Sequence, residues 1–107
     1  MMLIEKNHLL ERISKIIHQK DLNAEAYLFG SRARGDSRPN SDWDVMILVD
    51  EIKVTNAIED KFRDELYDLE VDSGQVISIF VYPKKDWNKM KGFSPLHDNV
   101  SREGIRL

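Results

Sequence analysis

The stretch GSRARGDSRPNSDWD, residues 30–44, decides how this chain folds, and short apolar runs lie on both sides of it. This order predicts a strand, a glycine turn, a polar loop and a second strand that begins with two alternating carboxylates. Residues two apart in a strand point to the same face. We therefore expect Asp42 and Asp44 to converge on one place while Trp43 faces away.

The two carboxylates indicate a cation site. Side by side they repel each other unless a proton or a cation lies between them. Mg²⁺ is usually held by one or two carboxylates together with the phosphates of a substrate, which fits Asp42 and Asp44. The adjacent Gly30 allows an anion to approach the backbone, and the Ser31 hydroxyl and Arg34 can donate to phosphate oxygens. We expect a polyphosphate and a divalent metal ion, Mg²⁺ or Mn²⁺, at this place.

The composition is that of a globular protein. The 107 residues are enough for one domain, 1–107, and 41% of them are apolar and 33% charged. The net charge of -3 argues against broad electrostatic binding of nucleic acid, and the lack of cysteine excludes disulfides and thiolate metal ligands. No apolar run approaches the roughly 20 residues of a membrane span, and the N-terminus lacks the regions of a signal peptide. We expect a cytoplasmic protein that does not associate with membranes.

Hydrophobic periodicity predicts the secondary structure. Apolar residues at helical spacing indicate an amphipathic helix over 3–20 and a second helix with Thr55 or Asn56 as its N-cap. Runs rich in β-branched and aromatic residues predict three strands, at 24–29, 42–49 and 76–82. A short helix is expected at 84–91. The tail after it contains three candidate docking residues, Phe93, Leu96 and Val100.

The connections predict the topology. The loop between the first two strands contains too little helix for a right-handed crossover, so these strands should run antiparallel. The second long helix makes a crossover from the second strand to the third, so that pair should be parallel. The expected fold class is α+β (α/β mixed): a small mixed sheet with helices packed on one side and at its end, in the order α-β-β-α-β-α.

The central motif resembles that of a known family. Gly30-Ser31-x-Ala33-Arg34-Gly35-x5-Ser41-Asp42-x-Asp44 is similar to the signature of the minimal nucleotidyltransferases, in the DNA polymerase beta-like superfamily. The resemblance implies the nucleotidyltransferase fold and transfer of a nucleoside monophosphate, commonly AMP from ATP, to a hydroxyl. It also implies two sets of site residues: Gly30, Ser31, Arg34 and Ser41 for the nucleotide, and Asp42 and Asp44 as the catalytic metal ligands.

One position departs from the family pattern. Active members usually carry a third acidic residue on the third strand, where this chain has Ser78. A serine hydroxyl is a weak neutral ligand, so Ser78 is only a candidate replacement for that acid. Two hypotheses stay open: a Mg²⁺-dependent nucleotidyltransferase, and a degenerate module that binds a nucleotide or a partner without doing chemistry.

The resemblance also implies partners. Many stand-alone domains of this size resemble the antitoxin of a toxin–antitoxin module whose partner is a helical HEPN-domain protein, and a side-chain hydroxyl there could be the acceptor. A small molecule such as an aminoglycoside is the alternative acceptor. In either case a partner, or a second copy of the chain in a homo-oligomer, would supply the missing wall of the site. The stretch DNVSREG, residues 98–104, resembles the tail of some bacterial members, and the sequence predicts no role for it.

Overall fold

One mixed sheet and five helices make up residues 6–107, the part of the chain that the computed structural model describes. The helices are α1 (Lys6–Lys20), α2 (Ser31–Arg34), α3 (Asn56–Ser73), α4 (Lys84–Lys89) and α5 (Pro95–Glu103). The strands are β1 (Glu25–Phe29), β2 (Trp43–Val49), β3 (Ile77–Pro83) and β4 (Ile105–Arg106), in the spatial order β3-β2-β1-β4. The start of the predicted N-terminal helix, 3–5, lies outside the described residues. Within that range, no helix combines the length and the apolar character that a membrane span requires.

The strand directions follow from the helices in the connections. β1 and β2 are antiparallel, with Phe29 opposite Asp44, and β2 and β3 are parallel, with Asp44 opposite Ser78. The connection between β1 and β2 contains only the short helix α2, too little for a crossover, whereas α3 supplies one between β2 and β3. Both predicted directions, and the predicted mixed α+β fold, are therefore confirmed.

The two long helices cover one face of the sheet. Alternate residues of β2 point to this face, where Val45, Ile47 and Val49 are completely buried. The helices contribute buried apolar residues three or four positions apart, which are Leu9, Ile13 and Ile17 from α1 and Phe62, Leu66 and Leu69 from α3. Burial of each such side chain stabilises the fold by about 1.5–3 kcal/mol, so the packing of these two helices stabilises the sheet strongly.

Two short helices cover part of the opposite face of the sheet. The sequence predicts helices on one side and at the end of the sheet, so this second covered face is an addition. Trp87 of α4 and Val100 of α5 pack there against three sheet residues, Phe29, Met46 and Leu48. Asp44 points to this same face, because it lies two residues before Met46 in β2. Ser78 points there too, because it lies opposite Asp44 in the neighbouring strand. The carboxylate strand therefore has a packed core behind it and short helices beside it.

The tail of the chain differs most from the prediction, which includes neither α5 nor β4. Of the three candidate docking residues, Leu96 and Val100 pack against the sheet, but Phe93 is 87% exposed, so its predicted docking is wrong. Phe93 lies in the turn between α4 and α5, where its N–H donates to the Met90 carbonyl at 3.0 Å and its side chain faces solvent. After α5, the two residues of β4 pair with β1 and return the chain to the sheet.

Candidate functional site

A glycine turn lies where β1 ends. Gly30 has φ +78° and ψ -161°, a conformation that only glycine adopts easily. The chain passes at once into α2, since the N–H groups of Ala33 and Arg34 donate to the Gly30 carbonyl at 3.1 and 3.0 Å. A Cβ at Gly30 would lie 2.5 Å from Oδ2 of Asp44. The turn and the carboxylate are therefore in close contact, and a side chain at Gly30 would have to displace Asp44.

The two carboxylates come together as the strand alternation predicts. Asp44 lies in β2, Asp42 directly precedes the strand, and Trp43 between them is buried on the other face. Partial burial, and next the repulsion from Asp42, raise the pKa of the Asp44 carboxyl above its ordinary value, and the Arg34 guanidinium offsets part of this effect. Within residues 6–107, no donor forms a hydrogen bond to the Asp44 carboxylate. A carboxylate that is crowded by a second one and has no donor is suited to a cation.

Ser78, the candidate replacement for a third acid, lies beside the two carboxylates. It lies directly opposite Asp44 in the register of β2 and β3, and its hydroxyl donates to Oδ2 of Asp42 at 3.0 Å. The upstream acid Glu70 is engaged elsewhere, because its carboxylate accepts from the N–H of Ile77 at 3.0 Å. In the described part of the chain, no three acidic or histidine side chains are grouped so that they could hold a metal ion. The site therefore offers two carboxylates and one hydroxyl.

The two serines predicted to bind nucleotide lie in different surroundings. Ser31 is half-buried at the start of α2, next to Gly30, and its hydroxyl bonds to no other residue in the described chain. The Ser41 hydroxyl instead accepts from the N–H of Arg38 at 2.9 Å and shapes the loop before the carboxylates. The structure thus brings Gly30 and Ser31 together with the carboxylates, whereas Ser41 would have to exchange its partner to reach a ligand.

Arg32 holds the loop that separates the turn from the carboxylates. Its guanidinium lies 4.5 Å from the centre of the Trp43 ring and donates to the carbonyls of Ser41 and Pro39 at 3.0 and 3.1 Å. Gln75 accepts from the same guanidinium at 3.4 Å and from the Trp43 indole N–H at 3.0 Å. These contacts favour a structural role for Arg32 in holding the loop, since its planar guanidinium binds the loop carbonyls and packs on the Trp43 ring.

Glu103 is the residue at this site that sequence reasoning misses. It ends α5, and its Oε1 accepts from the Gly30 N–H at 3.3 Å while its Oε2 pairs with Arg34 at 3.0 Å. Arg34 also pairs with Asp36 at 3.2 Å, and hydrogen bonds to Glu103 and then Asp36 raise the pKa of its guanidinium. Arg34, predicted to bind nucleotide, is therefore held by two carboxylates. The only signal in the sequence is that an acid precedes Gly104. This acid lies 73 positions after Gly30, the residue that it contacts.

A small mixed sheet with a glycine turn beside paired carboxylates defines a domain of the nucleotidyltransferase fold. The sequence profile of the nucleotidyltransferase domain matches residues 10–96 of this chain. Because the match spans most of the chain, the protein belongs to the nucleotidyltransferase domain family. Members of this family generally use divalent metal ions. Among curated proteins, none matches the sequence significantly.

Solved structures share the fold. A protein assigned as a minimal nucleotidyltransferase superimposes with a TM-score of 0.63 at 24% identity, over 97% of each chain. Two mutant structures of the toxin–antitoxin pair MntA–HpeT each match with a TM-score of 0.61, at 18% and 19% identity. These two matches cover 92% and 90% of this chain, and 70% and 69% of the matched chains. At such identities the likeness establishes the fold alone.

Proposed function

We propose that the protein transfers a nucleoside monophosphate, AMP from ATP in the first instance, to a hydroxyl acceptor, with Mg²⁺ held by Asp42 and Asp44. One observation carries the proposal: the side-chain-free Cα of Gly30 lies against the Asp44 carboxylate, so that a Cβ there would come within 2.5 Å of Oδ2. Because of this contact, the backbone turn and the metal ligands are close enough to bind one metal-bound polyphosphate together.

The residues of the site have separate tasks in this proposal. The backbone of the turn and the hydroxyl of Ser31 bind phosphate oxygens, because both adjoin the carboxylates and the hydroxyl has no competing partner within residues 6–107. Asp42 and Asp44 hold the metal ion, which would neutralise charge on the phosphates and on the leaving pyrophosphate when bound. Arg32 keeps the loop between these two parts in place.

The acceptor in this proposal is a hydroxyl side chain on a partner protein of the HEPN type. Two observations support a protein acceptor. β3 is one of the two edge strands in the described part of the chain, so the side of the site that carries Ser78 faces the edge of the sheet, and Phe80 on the same face is 37% exposed. Structures of similar fold come from the toxin–antitoxin pair MntA–HpeT. A small-molecule acceptor and a homo-oligomer are alternatives that the experiment below distinguishes.

A second candidate function is a module that binds the metal–nucleotide complex, or a partner, without turnover. The hydroxyl of Ser78 favours it: the resemblance to the family implies an acid on this strand in active members, and here a hydroxyl lies opposite Asp44 and donates to Asp42. A neutral hydroxyl cannot hold a second metal ion as a carboxylate can, so activation of the acceptor would be impaired. This candidate predicts binding of Mg²⁺–ATP with no transfer of label.

The deciding experiment follows α-labelled ATP in the presence of Mg²⁺ and the candidate partner protein. The proposal predicts release of pyrophosphate and label on the partner, and loss of both in the Asp42→Asn/Asp44→Asn double variant. The matched control is Asp60→Asn/Asp64→Asn, which removes the same charge from exposed positions of α3. Transfer that survives in the first double variant refutes the site, and ATP binding with no transfer to the partner, to a small-molecule hydroxyl or to the protein itself supports the second candidate.

A further inference from the structure

The helix α5 reaches the glycine turn through one side chain, Glu103. Its Oε1 accepts from the Gly30 N–H and from Arg34, both at 3.3 Å, and its Oε2 accepts from Arg34 at 3.0 Å. The Glu103 side chain is 14% exposed, compared with 48% for Arg34. A carboxylate so far removed from water depends on its donors, so these bonds constrain the turn as well as the acid.

The base that carries Glu103 is well packed. Val100 of α5 is 6% exposed and lies in the cluster with Trp87, and the His97 ring packs against Trp87 at a tilt of 31°, with 4.6 Å between the ring centres. At the end of the helix, the Gly104 N–H donates to the Val100 carbonyl at 2.8 Å. Glu103 therefore lies on a well-packed helix, and from there its carboxylate can hold the Gly30 turn in place.

We infer that Glu103 is a positioning residue, which sets the Gly30–Arg34 turn against Asp44 and thereby determines the affinity for a metal-bound triphosphate. The inference rests on the proposed function, which supplies the ligand. It extends the site beyond the family match, because that match ends at residue 96. Glu103 acts through the Gly30 N–H and the Arg34 guanidinium and does not itself contact the reacting groups.

Two other roles for Glu103 predict different results. If the carboxylate competes with phosphate for the same donors, its removal should tighten nucleotide binding. If it only stabilises the fold, its removal should lower the melting temperature and leave the affinity of the folded protein unchanged. A positioning role predicts weaker binding by protein that is still folded, with recovery when another acceptor replaces the carboxylate.

The test compares the Kd for Mg²⁺–ATP of the wild type, Glu103→Ala and Glu103→Gln, at a temperature well below the melting temperature of each variant. We expect the alanine variant to bind about tenfold more weakly, the scale of one hydrogen bond to a charged group. The glutamine variant should stay within about threefold of the wild type, because its amide oxygen still accepts from the Gly30 N–H. Asp98→Ala, which removes an exposed carboxylate from the first turn of the same helix, is the control and should bind normally.

A second readout needs no nucleotide: the hydrogen-exchange rate of the Gly30 amide, measured by NMR. This amide should exchange faster in Glu103→Ala than in the wild type, and at the wild-type rate in Asp98→Ala. Unchanged or tighter ATP binding by folded Glu103→Ala overturns the inference while the proposed function stands. A wild type that binds no ATP overturns the proposed function, and the Gly30 amide then decides alone: faster exchange in Glu103→Ala supports the hold on the turn, and an unchanged rate refutes it.

Discussion

Gly30→Ala tests the contact between the turn and the carboxylate. The new side chain meets two obstacles at once. The backbone keeps φ +78° and ψ -161°, which an L side chain rarely adopts, and the Cβ would lie 2.5 Å from Oδ2 of Asp44. The nearby Gly35 provides a matched control, because it has φ +87° but an added Cβ would meet nothing within 4 Å.

The structure separates the two costs. Backbone strain at Gly30 costs about 1–3 kcal/mol. Displacing the Asp44 carboxylate from its rotamer adds about 0.5–1.5 kcal/mol. Gly35→Ala meets only the backbone cost, about 1–2 kcal/mol for the left-handed region. We therefore expect Gly30→Ala to lower the free energy of unfolding by about 1.5–4.5 kcal/mol, and to cost more than its control because only Gly30→Ala displaces Asp44.

Urea unfolding of the metal-free protein measures both variants, and a double-mutant cycle identifies the source of the difference. In an Asp44→Ala background the carboxylate is gone, so the cost of Gly30→Ala should fall by about 1 kcal/mol, while the cost of Gly35→Ala should not change. Gly30→Ala should also weaken Mg²⁺–ATP binding more than Gly35→Ala does. Equal costs for the two alanines in both backgrounds would refute the direct contact between turn and carboxylate.

Three further substitutions test separate parts of the site. Asp44→Asn should stabilise the metal-free protein at neutral pH by about 0.5–1 kcal/mol, as relief of a strained functional position often does. Because burial and Asp42 raise the folded-state pKa of Asp44, the wild type should lose stability as pH rises through that pKa, and urea unfolding at several pH values should show this loss absent in Asp44→Asn. Ser78→Asp should raise any rate of label transfer by restoring the third acid, and an unchanged or lower rate would remove Ser78 from the acceptor side. Arg32→Lys should cost about 1–2 kcal/mol in urea unfolding, because lysine cannot reproduce the fork on the loop carbonyls and the stacking on Trp43.

The parts of the fold that are predictable from sequence depend on local patterns. The strands at 42–49 and 76–82 are long apolar runs, and they appear as β2 and β3 with small changes at their ends. The N-cap of α3 is one of the two predicted residues, since the Thr55 hydroxyl accepts from the Ile58 N–H at 3.3 Å. Ser78 is singled out by the resemblance to the family, and the register that places it opposite Asp44 is known only from the structure.

The missed parts depend on contacts between distant residues. β4 has only two residues, too few for a pattern, and exists because they pair with β1. Helix α5 has local signals, a Ser94 cap followed by Pro95, but its inward face is formed by few residues, including the polar His97. The role of Glu103 arises only when α5 packs on the sheet, and the same contact occupies Arg34, which sequence reasoning alone gives to the nucleotide.

The most direct test of the central claim is calorimetric titration of ATP into the protein, with and without Mg²⁺. We predict saturable binding that requires the metal ion and is weakened at least about tenfold in Asp42→Asn/Asp44→Asn, since both metal ligands are lost. The Asp60→Asn/Asp64→Asn control should bind as the wild type does. Binding that is equally tight without Mg²⁺, or in the Asp42→Asn/Asp44→Asn variant, would contradict the claim that the glycine turn and the two carboxylates form one site for a metal-bound nucleotide.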